Sequence, residues 1–566
     1  MTSAAGESNV ARLLGEQAAA HPDRPALIRG DGTTRMTFWQ LAGRADQLAA
    51  GLTDRGLRPG DRVAVLVRDR GEAVAIAAAV LWAGGVLVAP PTARGWRTAL
   101  ESSARARPAA VVADPLTWLL AAAFGGLARS RLRVVAARVR WPGFVSTADL
   151  ARAGTASRRS GRGSGDPVPR PPDAAALLSW TTGSTGRPQA IVRTHAVLAA
   201  QHAAIDRLRS PRPEDVDLPG LPNVALHDLA SGVPVVLPPA GDGPGGDRLR
   251  AVVVAAGATT AIGFPSLFER LVCGAPDGAL PLLRSIHLGG APVDPGLLTR
   301  LAAVAPNASV TVVYGATEAE PIGAIGAREL LHAVAGARPG CGLPVGTACE
   351  GLEIRLAPPE TSLCTGGPAA DSRRDTRRPP PARGRILVRG ACVAHVPSRS
   401  DADGWLDTGD VGALDGGGTL WLLGRASSGT VAGPPGAGRL FPLEVEEPIA
   451  ALPGIAAAAV VSVARAGQPR ALLAIEPADG TGGPSAACAA RSFAQDRGWG
   501  IDSVVAIRRL PRDRASGKVD YRRLRTLMPG RGTGTAASGG RGLVPWARTG
   551  ASGRARGNET RGEGRI

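Results

Sequence analysis

LLSWTTGSTGRPQAIVRTH, residues 177–195, runs from an apolar, strand-like stretch into Thr181-Thr182-Gly183-Ser184-Thr185-Gly186 and out into a second apolar run. Glycines let the backbone enter positive φ and curl tightly. Consecutive N–H groups and several hydroxyls can then converge on one space, an arrangement suited to a polyphosphate. The G-x-x-x-x-G-K-[ST] spacing of a Walker A loop is absent. Taken alone, such a Ser/Thr/Gly turn is more often a solvated loop, so its meaning depends on what surrounds it.

Working outward, apolar runs alternate with Ala-rich stretches. DRVAVLV (61–67) reads as a buried strand, GEAVAIAAAVLWAGG (71–85) as a helix stopped by glycines, and PAAVVADP (108–115) as a strand ending in a turn. The rhythm resumes in LRAVVVAAGATTAIG (249–263), LLRSIHLGGAP (282–292) and SVTVVYGATE (309–318). It predicts an α/β fold with a large N-terminal region of doubly wound sheets. GLEIRLA (351–357) and GRILVRG (384–390) predict a small antiparallel, β-barrel-like piece. A smaller α+β unit follows, with a helix near 443–452 and a strand at 456–464. The expected organisation is a large domain over 1–424, a small mobile domain over 425–528 and a disordered basic tail over 529–566. The Gly/Arg/Pro-rich stretch 155–172 reads as a surface loop.

Composition narrows the function classes. The chain has 566 residues and a formal net charge of +18. Its arginines cluster in RRSGRGSGDPVPR (158–170), SRRDTRRPPPAR (372–383) and the tail, with no basic helix interleaved with aromatics, so a dedicated nucleic-acid function is not expected. No apolar run reaches the ~18 residues that a transmembrane span requires. The start carries no basic n-region followed by an apolar stretch. The 6 cysteines form no CxxC pair and read as reduced thiols, so a cytoplasmic protein is expected. Lys518, in PRDRASGKVDYRRL (511–524), is the single lysine among 66 basic residues. A bias that replaced lysine with arginine elsewhere left this one in place.

Further chemistry-bearing residues recur in a fixed order. SVTVVYGATEAEP (309–321) puts Tyr314, Thr317 and Glu318 just past a strand, where ligands bind in open α/β sheets. A carboxylate beside a hydroxyl there could hold Mg²⁺. GWLDTGDVG (404–412) supplies Asp410, a carboxylate that could accept both hydroxyls of a ribose, and Arg425 follows.

This order resembles the AMP-forming acyl-activating superfamily, over roughly residues 8–528 and through TTGSTGRP, HLGGAPV, YGATE, GWLDTGD, GR and the final SGK. The resemblance implies ATP and Mg²⁺ as cofactors. It implies a first half-reaction in which a carboxylate attacks the ATP α-phosphate, giving acyl-AMP and pyrophosphate. In the second half a nucleophile, CoA or another, displaces AMP. By similarity, Thr181, Thr182, Gly183, Ser184, Thr185 and Gly186 would cradle phosphates. Gly289, Gly290, Ala291, Tyr314 and Gly315 would line the adenine pocket. Thr317 and Glu318 would meet phosphate and metal, Asp410 and Arg425 would hold the ribose, and Lys518 would be the catalytic ammonium.

Three departures from the family pattern stand out. The loop ends Arg187-Pro188-Gln189 where a lysine is usual after proline, and Arg187 or Arg193 could substitute. The hinge after Arg425 has Ser428 near the place of an acid. Ala225 occupies the position of an aromatic or histidine, with His227 two residues on, either facing the acyl pocket or packed away from it. THAVLAAQ (194–201), DLPGLPNVALHDLASGVPVVLP, YGATEAEP and GRLFPLEVEEPIAALPGI resemble the β-lactone synthetase branch of olefin biosynthesis, in which a β-hydroxy acid's own hydroxyl expels AMP. The expected partner is therefore a small carboxylic acid, fatty or β-hydroxylated, with association with other lipid-pathway enzymes. The same departures leave open a degenerate homologue that binds nucleotide or acyl groups without turnover.

Overall fold

The computed structural model describes residues 9–528 except 93–94, 125, 138–140, 161–164, 183–187, 221, 239–244, 338–339, 359–382, 435–437, 466–467, 479–481 and 514–515. The expected tail over 529–566 lies outside the described residues.

Short apolar runs become parallel strands because both faces are covered by helices. Among the described residues, one sheet has seven strands. Val145–Ser146, Leu132–Val135, Ala110–Ala113, Arg62–Leu66, Val86–Val88 and Ala175–Thr182 run parallel, and Pro188–Thr194 closes the edge as an antiparallel neighbour of Ala175–Thr182. In a second, thirteen-stranded sheet, the parallel part includes Thr260–Gly263, Ser285–Gly289 and Ser309–Ala316. Antiparallel strands then extend that sheet from Ala319–Gly326 through Leu343–Ala348 and Leu420–Arg425 to Leu406–Leu414, Arg383–Gly390 and Leu352–Ala357. The piece expected to be barrel-like is thus an antiparallel continuation of the main sheet.

The structure corrects one loop. Helix Thr147–Arg159 runs well into the stretch 155–172, started by a capping box between Ser146 and Asp149. Its glycine is a packing device. A Cβ at Gly154 would lie 1.9 Å from the Gln47 carbonyl oxygen, and one at Gly51 would lie 2.1 Å from that of Leu150. The two helices therefore cross backbone to backbone, which a helix-period reading of side chains does not foresee.

Beyond Arg425 a smaller α+β unit has its own sheet, in which Ile455–Arg465 and Gln468–Pro477 pair antiparallel and Ser503–Ala506 adds in parallel. Its apolar clusters draw only on residues from Val431 to Met528. Glu446 sits beneath it, bonded by the Tyr521 hydroxyl at 2.8 Å and the Val460 N–H at 2.7 Å, and burial raises its pKa to about 7.

Gly154→Ala tests the helix crossing. In an open helix this change would stabilise by about 1 kcal/mol. Here the added methyl must push against backbone, and a net loss of about 1–3 kcal/mol in urea unfolding is expected.

Candidate active site

The site grows from the carboxyl ends of the parallel strands. Strand Ser285–Gly289 lies so close to its neighbour that a Cβ at Gly289 would stand 2.1 Å from the Val313 carbonyl oxygen. Gly290 follows at φ +74°, and a Cβ there would meet the Phe264 ring at 2.8 Å. Two glycines and half-buried Ala291 thus give a bare backbone turn facing the strand that carries Tyr314 and Gly315.

Tyr314 is buried and donates its hydroxyl to Asp410 Oδ2 at 2.8 Å. Burial, and then the Asp410 charge, raise the phenol's pKa well above its ordinary value, so it remains a donor. The other Asp410 oxygen meets Arg425 Nε at 2.9 Å, and the same two residues are ladder partners. Three sequence-predicted residues therefore form one direct cluster.

Thr317 and Glu318 make the turn between Ser309–Ala316 and Ala319–Gly326. Glu318 is only 3% exposed, and its Oε1 pairs with Nη2 of Arg399. No group of three or more His, Cys, Asp or Glu that could hold a metal occurs among the described residues. Glu318, the expected metal-facing carboxylate, is paired with a guanidinium in this structure.

Thr181 and Thr182 end the strand that pairs with Pro188–Thr194, in register Thr181↔Gln189 and Thr182↔Pro188. Gly183, Ser184, Thr185, Gly186 and Arg187 lie outside the described residues. Arg193 proves to be engaged elsewhere. It is buried, bonded to Gln201 Oε1 and Ser179 Oγ at 3.3 Å each, and stands 3.8 Å from Glu320. His227 takes the packed option: it is buried and stacked on His202 with ring centroids 5.9 Å apart. Burial lowers its pKa to about 3, with His202 adding to the effect, so it stays neutral.

Lys518 lies on a turn closed by Asp513 N–H donating to its carbonyl oxygen at 2.7 Å. The preceding Gly517 has φ +71°, and a Cβ there would stand 2.8 Å from Cβ of Ser266. Ser266 is the second residue of the helix Pro265–Val272, which follows Phe264, the residue facing Gly290. The small unit therefore sets the turn carrying Lys518 against the rim of the glycine turn.

Sequence reasoning missed Arg399, Phe264 and Ser266. Arg399 sits in VPSRSDADGW, with nothing to distinguish it from dozens of other arginines. Phe264 and Ser266 matter only as neighbours of residues far along the chain.

Tyr314→Phe tests the central cluster. It removes a donor from a buried carboxylate, and a loss of about 1–3 kcal/mol in thermal unfolding is expected. Calorimetry should also show weaker AMP binding.

Comparison with known proteins gives the family. Residues 14–396 match the family model described as AMP-binding enzyme. The olefin beta-lactone synthetase of Stenotrophomonas maltophilia is 29% identical over 514 residues, 83% of this chain and 88% of that protein. The feruloyl-CoA synthase of an Amycolatopsis species is 29% identical over 452 residues, 76% of this chain and 81% of that one. Among solved structures, ATP-bound MatB from Rhodopseudomonas palustris superposes with a TM-score of 0.73 at 24% identity, over 92% of this chain and 99% of that one. No helix among the described residues is long and apolar enough to cross a membrane. On the family match over more than half its length, the chain belongs to the AMP-binding enzymes and is an adenylate-forming ligase.

Proposed function

We propose that this ligase activates a β-hydroxy carboxylic acid with ATP and that the substrate's own hydroxyl then closes a β-lactone. ATP enters as its magnesium complex, so the metal is part of the substrate. One carboxylate oxygen of the acid attacks the α-phosphorus, pyrophosphate leaves, and the acyl group is held as a mixed anhydride with AMP. The β-hydroxyl oxygen then attacks the acyl carbon, its proton is lost to base, and the C–O bond to AMP breaks. Intramolecular attack needs no second substrate, because proximity replaces a bimolecular encounter.

One observation carries this reading: the turn bearing Lys518 already stands against the helix that follows Phe264, and the two units are bridged at a second place. Arg383 Nη1, on a strand of the large unit, pairs with Glu444 Oε1 of the small unit at 2.8 Å. A ligase that hands its acyl group to CoA has reason to reorient its small unit between half-reactions; an internal cyclisation can finish in a single arrangement. The likeness to the Stenotrophomonas beta-lactone synthetase, and a similar 29% identity to that of Xanthomonas campestris, supports the same conclusion. A long acyl chain, a cytoplasmic setting and association with other lipid-pathway enzymes belong to this proposal.

In this reading Lys518 supplies the ammonium that lets two anions approach. A compact, rotatable charge can bridge a carboxylate and a phosphate where the wider guanidinium fork fits less well. Lys518→Ala is expected to slow ATP–pyrophosphate exchange by 10²–10³, about 3–4 kcal/mol of transition-state stabilisation. Exchange by Lys518→Ala at the wild-type rate would overturn this role for Lys518, whereas ATP binding with no exchange by the wild-type protein would favour the non-catalytic alternative.

A second reading, transfer to CoA, is favoured by the likeness to the feruloyl-CoA synthase. Mass spectrometry of products from ATP, Mg²⁺ and a long β-hydroxy acid separates the two. The lactone should form with CoA omitted; a product that appears only with CoA would overturn the cyclisation.

A further inference from the structure

The usual loop lysine is absent at Gln189, and Arg193 is engaged in a buried cluster. A triphosphate brought to this site gains from a fixed cation on the side of the threonine-rich strand end. We propose that Arg399 is that cation: it contacts the β- and γ-phosphates of ATP, and Glu318 acts as the residue that positions it.

The backbone around Arg399 is fixed from several directions. Its N–H donates to the Val396 carbonyl oxygen at 2.8 Å, and its own carbonyl accepts from Asp407 N–H at 2.9 Å. Just upstream, Ala394 N–H donates to the Glu318 carbonyl oxygen at 2.7 Å. Next to it, Ser398 Oγ accepts from Gln189 Nε2 at 3.1 Å. The residue standing where a lysine is usual therefore binds the segment that delivers an arginine.

The guanidinium is anchored and still has capacity. Nη2 pairs with Glu318 Oε1, and Nη1 donates to the Thr408 carbonyl oxygen at 3.3 Å, two residues before Asp410. Its Nε is buried without a hydrogen-bond partner among the described residues. The side chain is 21% exposed, so it is reachable from the site. A guanidinium has five N–H donors in a fixed fork that matches phosphate oxygens. Arg399 can thus take up a phosphate while Glu318 holds its other edge.

The surrounding charge favours an incoming anion. Burial, and then repulsion from Arg425, lower the Arg399 pKa from its ordinary value, with Asp410 acting in the opposite direction. A cation held under those conditions gains from added negative charge nearby.

The experiment compares ATP and AMP binding by calorimetry in wild type, Arg399→Ala and Arg399→Lys, with no carboxylic acid present. AMP lacks the β- and γ-phosphates, so it reports whether the pocket remains intact. Arg399→Ala should weaken ATP binding at least tenfold while changing AMP binding less than threefold, and Arg399→Lys should recover part of the loss. In pyrophosphate exchange the double variant Gln189→Lys/Arg399→Ala should regain at least tenfold over Arg399→Ala, because it returns a cation from the neighbouring strand. Equal losses for ATP and AMP, or no recovery in the double variant, would overturn the assignment and leave Arg399 a packing residue.

Discussion

A single buried carboxylate holds the site together. Asp410 is 6% exposed and takes a hydroxyl from Tyr314 on one oxygen and Arg425 on the other, while its N–H donates to Thr408 Oγ1 at 3.1 Å. An isolated buried charge would be costly, and one hydrogen-bonded and ion-paired on both oxygens is tolerated. Through it the parallel sheet, the antiparallel extension and the strand leading to the small unit meet at one point. Loss of any partner leaves the others facing an uncompensated charge, so the end of the sheet and the start of the interdomain connection are mechanically the same place.

Around that carboxylate the charges alternate. Glu318 faces Arg399 and Asp410 faces Arg425, while the turn bearing Lys518 comes from the opposite unit. Adenylation is a problem of bringing two anions into bonding distance. Fixed dipoles and cations solve it better than water does, because they need not reorganise as charge develops. Gly289 and Gly290 serve the same end sterically, since side chains there would collide with Val313 and Phe264 before any ligand arrived.

Much of the fold was legible in the sequence because its signals are local. Strands such as Arg62–Leu66 and Ala110–Ala113 are short apolar runs bounded by turn residues, and their buried character shows in composition alone. Helix Thr147–Arg159 was partly missed, since its last turn enters a Gly/Arg/Pro-rich stretch, and Gly154 is a close-packing contact only in three dimensions. His227 showed the reverse limit: a histidine near a pocket motif turned out to be a neutral ring stacked on His202.

What the sequence determined by itself was the family, the α/β rhythm and the order of Thr181, Tyr314, Asp410, Arg425 and Lys518, because each of these is carried by residue type within a short window. Tertiary structure alone decided which cation stands beside Glu318 and which residue Gln189 binds. The Arg399–Glu318 pair spans 81 residues, and the Gln189–Ser398 bond spans 209. Periodicity and propensity act over a few residues, whereas contacts at such separations are set by how sheets stack, and in a chain this rich in arginine nothing in the local pattern marks the one that the fold brings to the site.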